Sequence, residues 1–234
     1  MSCPQFHFAV VGYYIATLVY VSGMDLSNVT DEKVKNLRDF GPFYLTLWNW
    51  GLHLLYFFMH CINHTLQKMP MKISTSLRRM MGQMTNYLFC ALVFPLTIYV
   101  SSTFWIMFAY DRELLYPRAL DAASPPWFNH VMHTSILPVA LLELALHRHR
   151  FPPPRTACLS LAALLAAYGL AMTYVYFRYN VALYPLYPML NWTQRGLFFA
   201  VSVAECSVFY LLGEKLNTLC WGNRIKSVHG EKQQ

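Results

Sequence analysis

Apolar residues fall into six blocks, 6–24, 43–62, 86–110, 127–146, 156–177 and 196–213, and the connections between them collect most of the charges. Each block holds 18 to 25 residues, enough for a helix rising about 1.5 Å per residue to cross roughly 30 Å of hydrocarbon. Lipid offers no partners to bare peptide groups, so all of the blocks read as helices. The expected fold is all-α: an integral membrane bundle of six transmembrane helices, one domain over 1–234, with a short, basic, mobile tail at 214–234. Composition agrees, since 56% of residues are hydrophobic and 12% charged, against roughly 45–50% and about 25% in soluble domains. No internal repeat, low-complexity segment or second domain is evident.

A formal charge of +7 raises nucleic acid as a partner, but the 18 Lys and Arg residues sit in short segments between apolar blocks, not on one basic face. No nucleic acid is expected. The segments sharing a side with both termini hold eleven of these cations and the opposite side seven, which puts both termini in the cytosol. The sequon Asn28-Val29-Thr30 then falls outside, where glycosylation occurs, and Trp127, Trp192, Tyr116-Pro117 and Tyr184-Pro185 read as an interfacial aromatic belt. The first block lacks a basic leader and a small-x-small exit, so it is expected to stay as a helix. Cys3, just before it, is a palmitoylation candidate. The six cysteines form no close pair and read as small hydrophobes, not as a disulfide framework.

Chemistry is best sought where polar residues enter the apolar blocks, because each is costly there unless it faces protein or a cavity. Thr46, Asn49, His53 and His60 are spaced by 3, 4 and 7 residues, which places them on one helical face. Asn129, His130, His133 and Thr134 gather within about one turn of the fourth block. Counting from the block ends, Thr46 lies about 5 Å and His133 about 9 Å into their spans. Both spans run inward from outside, so the hydroxyl and the imidazole share a leaflet and can meet if the helices are neighbours. Pro138 withholds an N–H from the Thr134 carbonyl and is expected to kink the helix just past His133. A Thr–His pair of this kind suits nucleophilic catalysis, with the imidazole taking the hydroxyl proton. The plainer reading is a backbone-bonded Thr and a packed His.

Other groups are weighed in the same way. His53, His60, His130 and His133 could gather on a metal, but they bring no carboxylate at matching depth, so no metal and no cofactor are expected. His147-Arg148-His149-Arg150 reads as a stop-transfer flank. Glu205 sits mid-span, either protonated or lining a cavity. Asp111, Arg112, Glu113 and Arg118 read as a solvated collar or as an Arg site for a substrate carboxylate.

The stretch 104–117 (Phe-Trp-Ile-Met-Phe-Ala-Tyr-Asp-Arg-Glu-Leu-Leu-Tyr-Pro), followed by Pro126-Trp-Phe-Asn-His-Val-Met-His-Thr134 and Pro138, resembles the androgen-induced gene family of membrane threonine hydrolases. Tyr44-Leu-Thr46 and Tyr210-Leu-Leu-Gly-Glu-Lys-Leu-Asn217 extend the match over nearly the whole chain. The resemblance implies hydrolysis of fatty acid esters of hydroxy fatty acids. It assigns the nucleophile to Thr46 and the histidine to His133, the pair that the depth argument also favours. Asn49, Asn129 and His130 are the oxyanion candidates, and the expected partners are the membrane and a lipid entering from it. The competing class is a non-enzymatic membrane regulator that acts through partner proteins.

Overall fold

The computed structural model describes residues 4–23, 31–68, 74–122 and 125–230, apart from the side chains of residue 122 and of 223–230. The Asn28 sequon and Cys3 lie outside the described residues. The described residues contain helices and no strand: α1 (Pro4–Ser22), α2 (Glu32–Phe40), α3 (Leu45–Lys68), α4 (Thr75–Leu88), α5 (Phe94–Asp111), α6 (Pro126–Asn129), α7 (Ile136–Leu146), α8 (Pro154–Tyr179), α9 (Leu186–Met189) and α10 (Trp192–Gly230). Four helical stretches are long and apolar enough to cross a membrane: Pro4–Ser22, Thr75–Leu114, Pro154–Tyr179 and Trp192–Gly222. The second apolar block is the helix α3, which carries the polar stripe. The fourth is split into α6, a π turn at His130–Thr134, and α7.

The two π turns have a common cause in sequence. Phe89–Val93 precedes Pro95 and His130–Thr134 precedes Pro138, so each widened turn comes just ahead of a proline that cannot donate to its carbonyl four residues back. In the second, the Ser135 amide reaches the His130 carbonyl, five residues back, at 2.9 Å. The irregularity expected past His133 therefore comes earlier and contains His133 itself, while Pro138 sits in the first turn of α7, where no N–H is needed. Two further features differ from expectation. The first connection folds into the polar helix α2, whose N-cap Asp31 accepts from the Lys33 amide at 2.8 Å. The expected end of the last helix at 213 is passed, because α10 continues to Gly230. Its extension is tied down: the Asn217 side chain exchanges hydrogen bonds of 3.0 and 2.9 Å with the His149 backbone, and Trp221 Nε1 donates to the Leu144 carbonyl at 3.0 Å.

Lipid tails are as apolar as leucine, so close packing and interhelical hydrogen bonds must hold such helices together. Tyr14, Tyr56, Phe57, Phe89, Phe94 and Tyr210 are fully buried between helices, whereas Leu159, Leu170, Leu197 and Leu219 face outward. Tyr13 meets Ser135 at 2.8 Å, Tyr87 meets Ser160 at 2.5 Å and Tyr99 meets Ser202 at 2.8 Å. The five described cysteines are free, three of them buried.

The tightest approach is at Gly213 of α10, where an added Cβ would lie 2.6 Å from two ring carbons of Phe94 and 3.2 Å from Phe151. Gly213→Ala is expected to destabilise the bundle by about 1–3 kcal/mol through overpacking. Thermal unfolding in detergent checks this, with Gly196→Ala, which meets nothing within 4 Å, as the silent control.

Candidate active site

Thr46 is the second residue of α3, placed at the helix start by the short turn Gly41–Phe43. His133 lies in the π turn between α6 and α7. The structure brings them together: Thr46 Oγ1 is 3.1 Å from His133 Nε2. The other ring nitrogen, Nδ1, faces the Asn129 carbonyl at 3.2 Å. A carbonyl can only accept, so Nδ1 carries the proton and the neutral ring presents the Nε2 lone pair to the threonine hydroxyl. That is the tautomer needed to take a proton from Thr46. The ring is also clamped, stacked on Phe104 with centroids 3.5 Å apart and an interplanar angle of 9°. The same π turn is fixed by Trp50 Nε1, 3.4 Å from the Met132 carbonyl, and by Trp105 Nε1, which donates to Thr134 at 3.0 Å.

The pair opens on a cavity of about 1060 Å³ whose wall is mostly apolar, with Val100, Phe104, Met107, Leu165 and Phe199 among its lining. The lining also includes Leu170 and Phe198, which are 72% and 45% exposed. The cavity therefore reaches the outer apolar surface of the bundle at the α8–α10 flank. A chain-like lipid lying beside these helices would have a sideways path to the hydroxyl.

The remaining sequence candidates separate. Asn129 lines the cavity. Asn49 is fully buried behind it, its Oδ1 3.3 Å from the Thr97 hydroxyl and its Nδ2 without a hydrogen-bond partner. His130 turns outward, stacked on Trp105 with its Nδ1 3.1 Å from the Thr134 hydroxyl, and is not part of the cavity wall. The histidines weighed as metal ligands have separate surroundings. His53 is held between Tyr14 at 2.8 Å and Thr97 at 2.5 Å, and His60 packs on His7 with centroids 4.4 Å apart. Glu205 lies exposed on the outer face of α10, away from the cavity wall. In the collar, Arg112 pairs with Asp121 at 2.6 Å, and Arg118 lies 3.8 Å from Glu113.

Two cavity residues are not marked for chemistry by the sequence pattern. Arg195, near the start of α10, lies over the rings of Tyr187 at 4.1 Å and Trp192 at 4.8 Å, and donates to the Tyr187 carbonyl at 3.2 Å. Its Nε is buried with no hydrogen-bond partner, and among the described residues no carboxylate pairs with it. Tyr184 accepts from Tyr168 at 3.2 Å, which leaves its own hydroxyl proton to be donated. An arginine at the mouth of an apolar block, flanked by Trp192 and the Tyr-Pro pairs, is the signal that could have found the first. Tyr184 has none beyond its place in the aromatic belt.

Comparison with known proteins places the chain. The family described as FAR-17a/AIG1-like protein matches residues 6–218. The chain is 35% identical over 236 residues to the androgen-dependent TFPI-regulating protein of Mesocricetus auratus, covering 97% of this chain and 96% of that one. It is 33% identical over 222 residues to the protein of that name from Homo sapiens, covering 93% of each. With the androgen-induced gene 1 protein of Homo sapiens it shares 33% identity over 149 residues, 64% of this chain and 62% of that one. No solved structure matches. With one family spanning nearly every helix, the chain belongs to the FAR-17a/AIG1-like proteins.

Proposed function

We propose that this protein is a membrane lipid ester hydrolase that cleaves fatty acid esters of hydroxy fatty acids, with Thr46 as nucleophile and His133 as general base. The observation that carries this is the Thr46–His133 contact, in which the tautomer held by Asn129 points the Nε2 lone pair at the hydroxyl inside an apolar cavity. In this reading the chain spans the bilayer six times with both termini cytosolic, and the substrate enters from the outer leaflet.

Thr46 Oγ attacks the ester carbonyl carbon as its proton passes to His133 Nε2. The tetrahedral intermediate collapses by breaking the bond to the ester oxygen, and His133 returns the proton to that oxygen. A hydroxy fatty acid leaves, and an acyl-threonine remains. Water, deprotonated by the same nitrogen, then adds to the acyl carbonyl. Collapse of this second intermediate breaks the bond to Thr46 Oγ, which takes the proton back from His133, and the fatty acid is freed. The developing oxyanion needs fixed donors. Asn129, on the cavity wall, is the nearest of the sequence candidates, whereas the Leu47 and Trp48 amides of the first turn of α3 already donate to the Tyr44 carbonyl. Tyr184, whose ring packs edge-on against Tyr44 with centroids 5.4 Å apart, offers a further proton. Phe104, stacked on the imidazole, keeps it from rotating between successive proton transfers.

The substrate class brings a free carboxylate with its ester, and Arg195 is the cation of the wall without a carboxylate of its own. In this reading Arg195 holds that carboxylate. The test is hydrolysis by purified wild type and Arg195→Gln of the free acid and of its methyl ester. A charged hydrogen bond is worth about 1.5–3 kcal/mol, so the variant is expected to raise KM for the free acid by roughly 10- to 100-fold. Its kcat, and its kinetics on the methyl ester, should stay close to wild type. Equal losses on both substrates would assign Arg195 to structure, and no hydrolysis by wild type of either would move the reading to a regulator acting through partner proteins.

A further inference from the structure

At the opposite end of α7 from His133, a second cluster of ionisable side chains takes no part in this chemistry. Its centre is Glu143, fully buried on α7. His7 of α1 brings its Nε2 to 3.0 Å from Glu143 Oε2, and His147, one turn further along, brings its Nδ1 to 3.1 Å from the same oxygen. The other carboxylate oxygen, Oε1, accepts a hydrogen bond from Tyr56. His149 is also buried, its Nε2 3.6 Å from Oε1 and without a hydrogen-bond partner. His60 closes the group, its ring 4.4 Å from that of His7 and 6.3 Å from that of His147.

Four imidazoles around one carboxylate are more bases than a buried anion needs, since two N–H donors and the tyrosine already satisfy it. The set is instead that of a transition-metal site, nitrogen donors with one carboxylate oxygen. The donor atoms of His7, Glu143 and His147 all lie within 4.8 Å of one another. In a tetrahedral zinc shell with bonds of 2.0–2.2 Å, neighbouring donors stand about 3.3 Å apart. The two distances to Glu143 nearly match this, and modest rotation of the two imidazoles closes the third. Tyr56 fixes the carboxylate from behind, as outer partners of metal ligands do. Beside the cluster lies a cavity of about 420 Å³, lined by His60, Asn63, His147, His149 and Trp221, that gives an ion a way in.

We infer that His7, Glu143 and His147 bind a divalent transition-metal ion of the zinc type. Glu143 is ten residues from His133, about 15 Å along a helix, so the ion does not touch the ester. It clasps α1 to α7.

The test is elemental analysis of the full chain, purified in detergent through a tag without histidine and in the absence of chelators. About one zinc, or another first-row divalent metal, per chain is expected. Stripping with a chelator should lower the melting temperature, and stoichiometric Zn²⁺ should restore it. Co²⁺ added to the stripped protein should give the visible absorption bands of a four-coordinate nitrogen–oxygen site. Glu143→Gln and His147→Ala should lose the metal, whereas His133→Ala should keep it. If those variants aggregate, stripping and reloading the wild type decides alone. Wild type that carries no metal and takes up neither ion saturably overturns the inference, as does uptake unchanged in folded Glu143→Gln and His147→Ala.

Discussion

Membranes carrying Thr46→Ala are expected to hydrolyse a fatty acid ester of a hydroxy fatty acid at least about 10³-fold more slowly than wild type at matched protein levels. The reason is local. Thr46 sits at the start of α3, half-buried on the cavity wall, and its hydroxyl has one side-chain partner, His133. Removing it would delete the proposed attacking atom, and the helix, the π turn and the apolar wall are expected to stay unchanged. Thr46→Val keeps the volume and should be equally silent. Thr46→Ser restores the nucleophile without the methyl group that limits its rotamers, and should recover measurable rate. A Thr46→Val protein as active as wild type would show that the hydroxyl only bonds the histidine.

His133→Ala is expected to have an effect of comparable size, because the hydroxyl is a weak nucleophile without a base. General acid–base assistance contributes about 10²–10⁴-fold. Hydrolysis of a graded series of esters checks the role, since an ester with a good leaving group depends less on the returned proton and should suffer less. Groups acting as one unit are not additive, so Thr46→Ala with His133→Ala together should be no worse than the poorer single variant. Additive losses would mean that the two residues act apart.

Both predictions rest on a contact that is partly legible in the amino-acid sequence. The spacing of Thr46, Asn49 and His53 marks one protected face of α3, and the burial of Asn49 and His53 follows from it. Equal depth in two helices makes the Thr–His meeting permissible, but depth says nothing about neighbours. Only packing brings His133 Nε2 to 3.1 Å from Thr46. Proline marks the fourth block as irregular, but not the form of the irregularity, because a π turn and a kink answer the same missing N–H. The helix α2 is hidden because its polar residues read equally well as loop. His7 and Glu143 are 136 positions apart, and no local pattern links residues so distant. The reach of α10 past 213 depends on Asn217 and Trp221 finding backbone partners in the 144–149 segment, which is tertiary information. Apolar blocks announce helices well, whereas which polar side chains meet inside the bundle is decided by how the helices lean together.

The central claim is a covalent one, that the acyl group passes through Thr46. Its most direct measurement is peptide mass spectrometry of detergent-purified wild type, Thr46→Ala and His133→Ala after treatment with a fluorophosphonate or activated-ester probe. A single adduct on Thr46 is expected in wild type, none in Thr46→Ala, and strongly slowed labelling in His133→Ala. A label on another residue, or one that survives in Thr46→Ala, would contradict it.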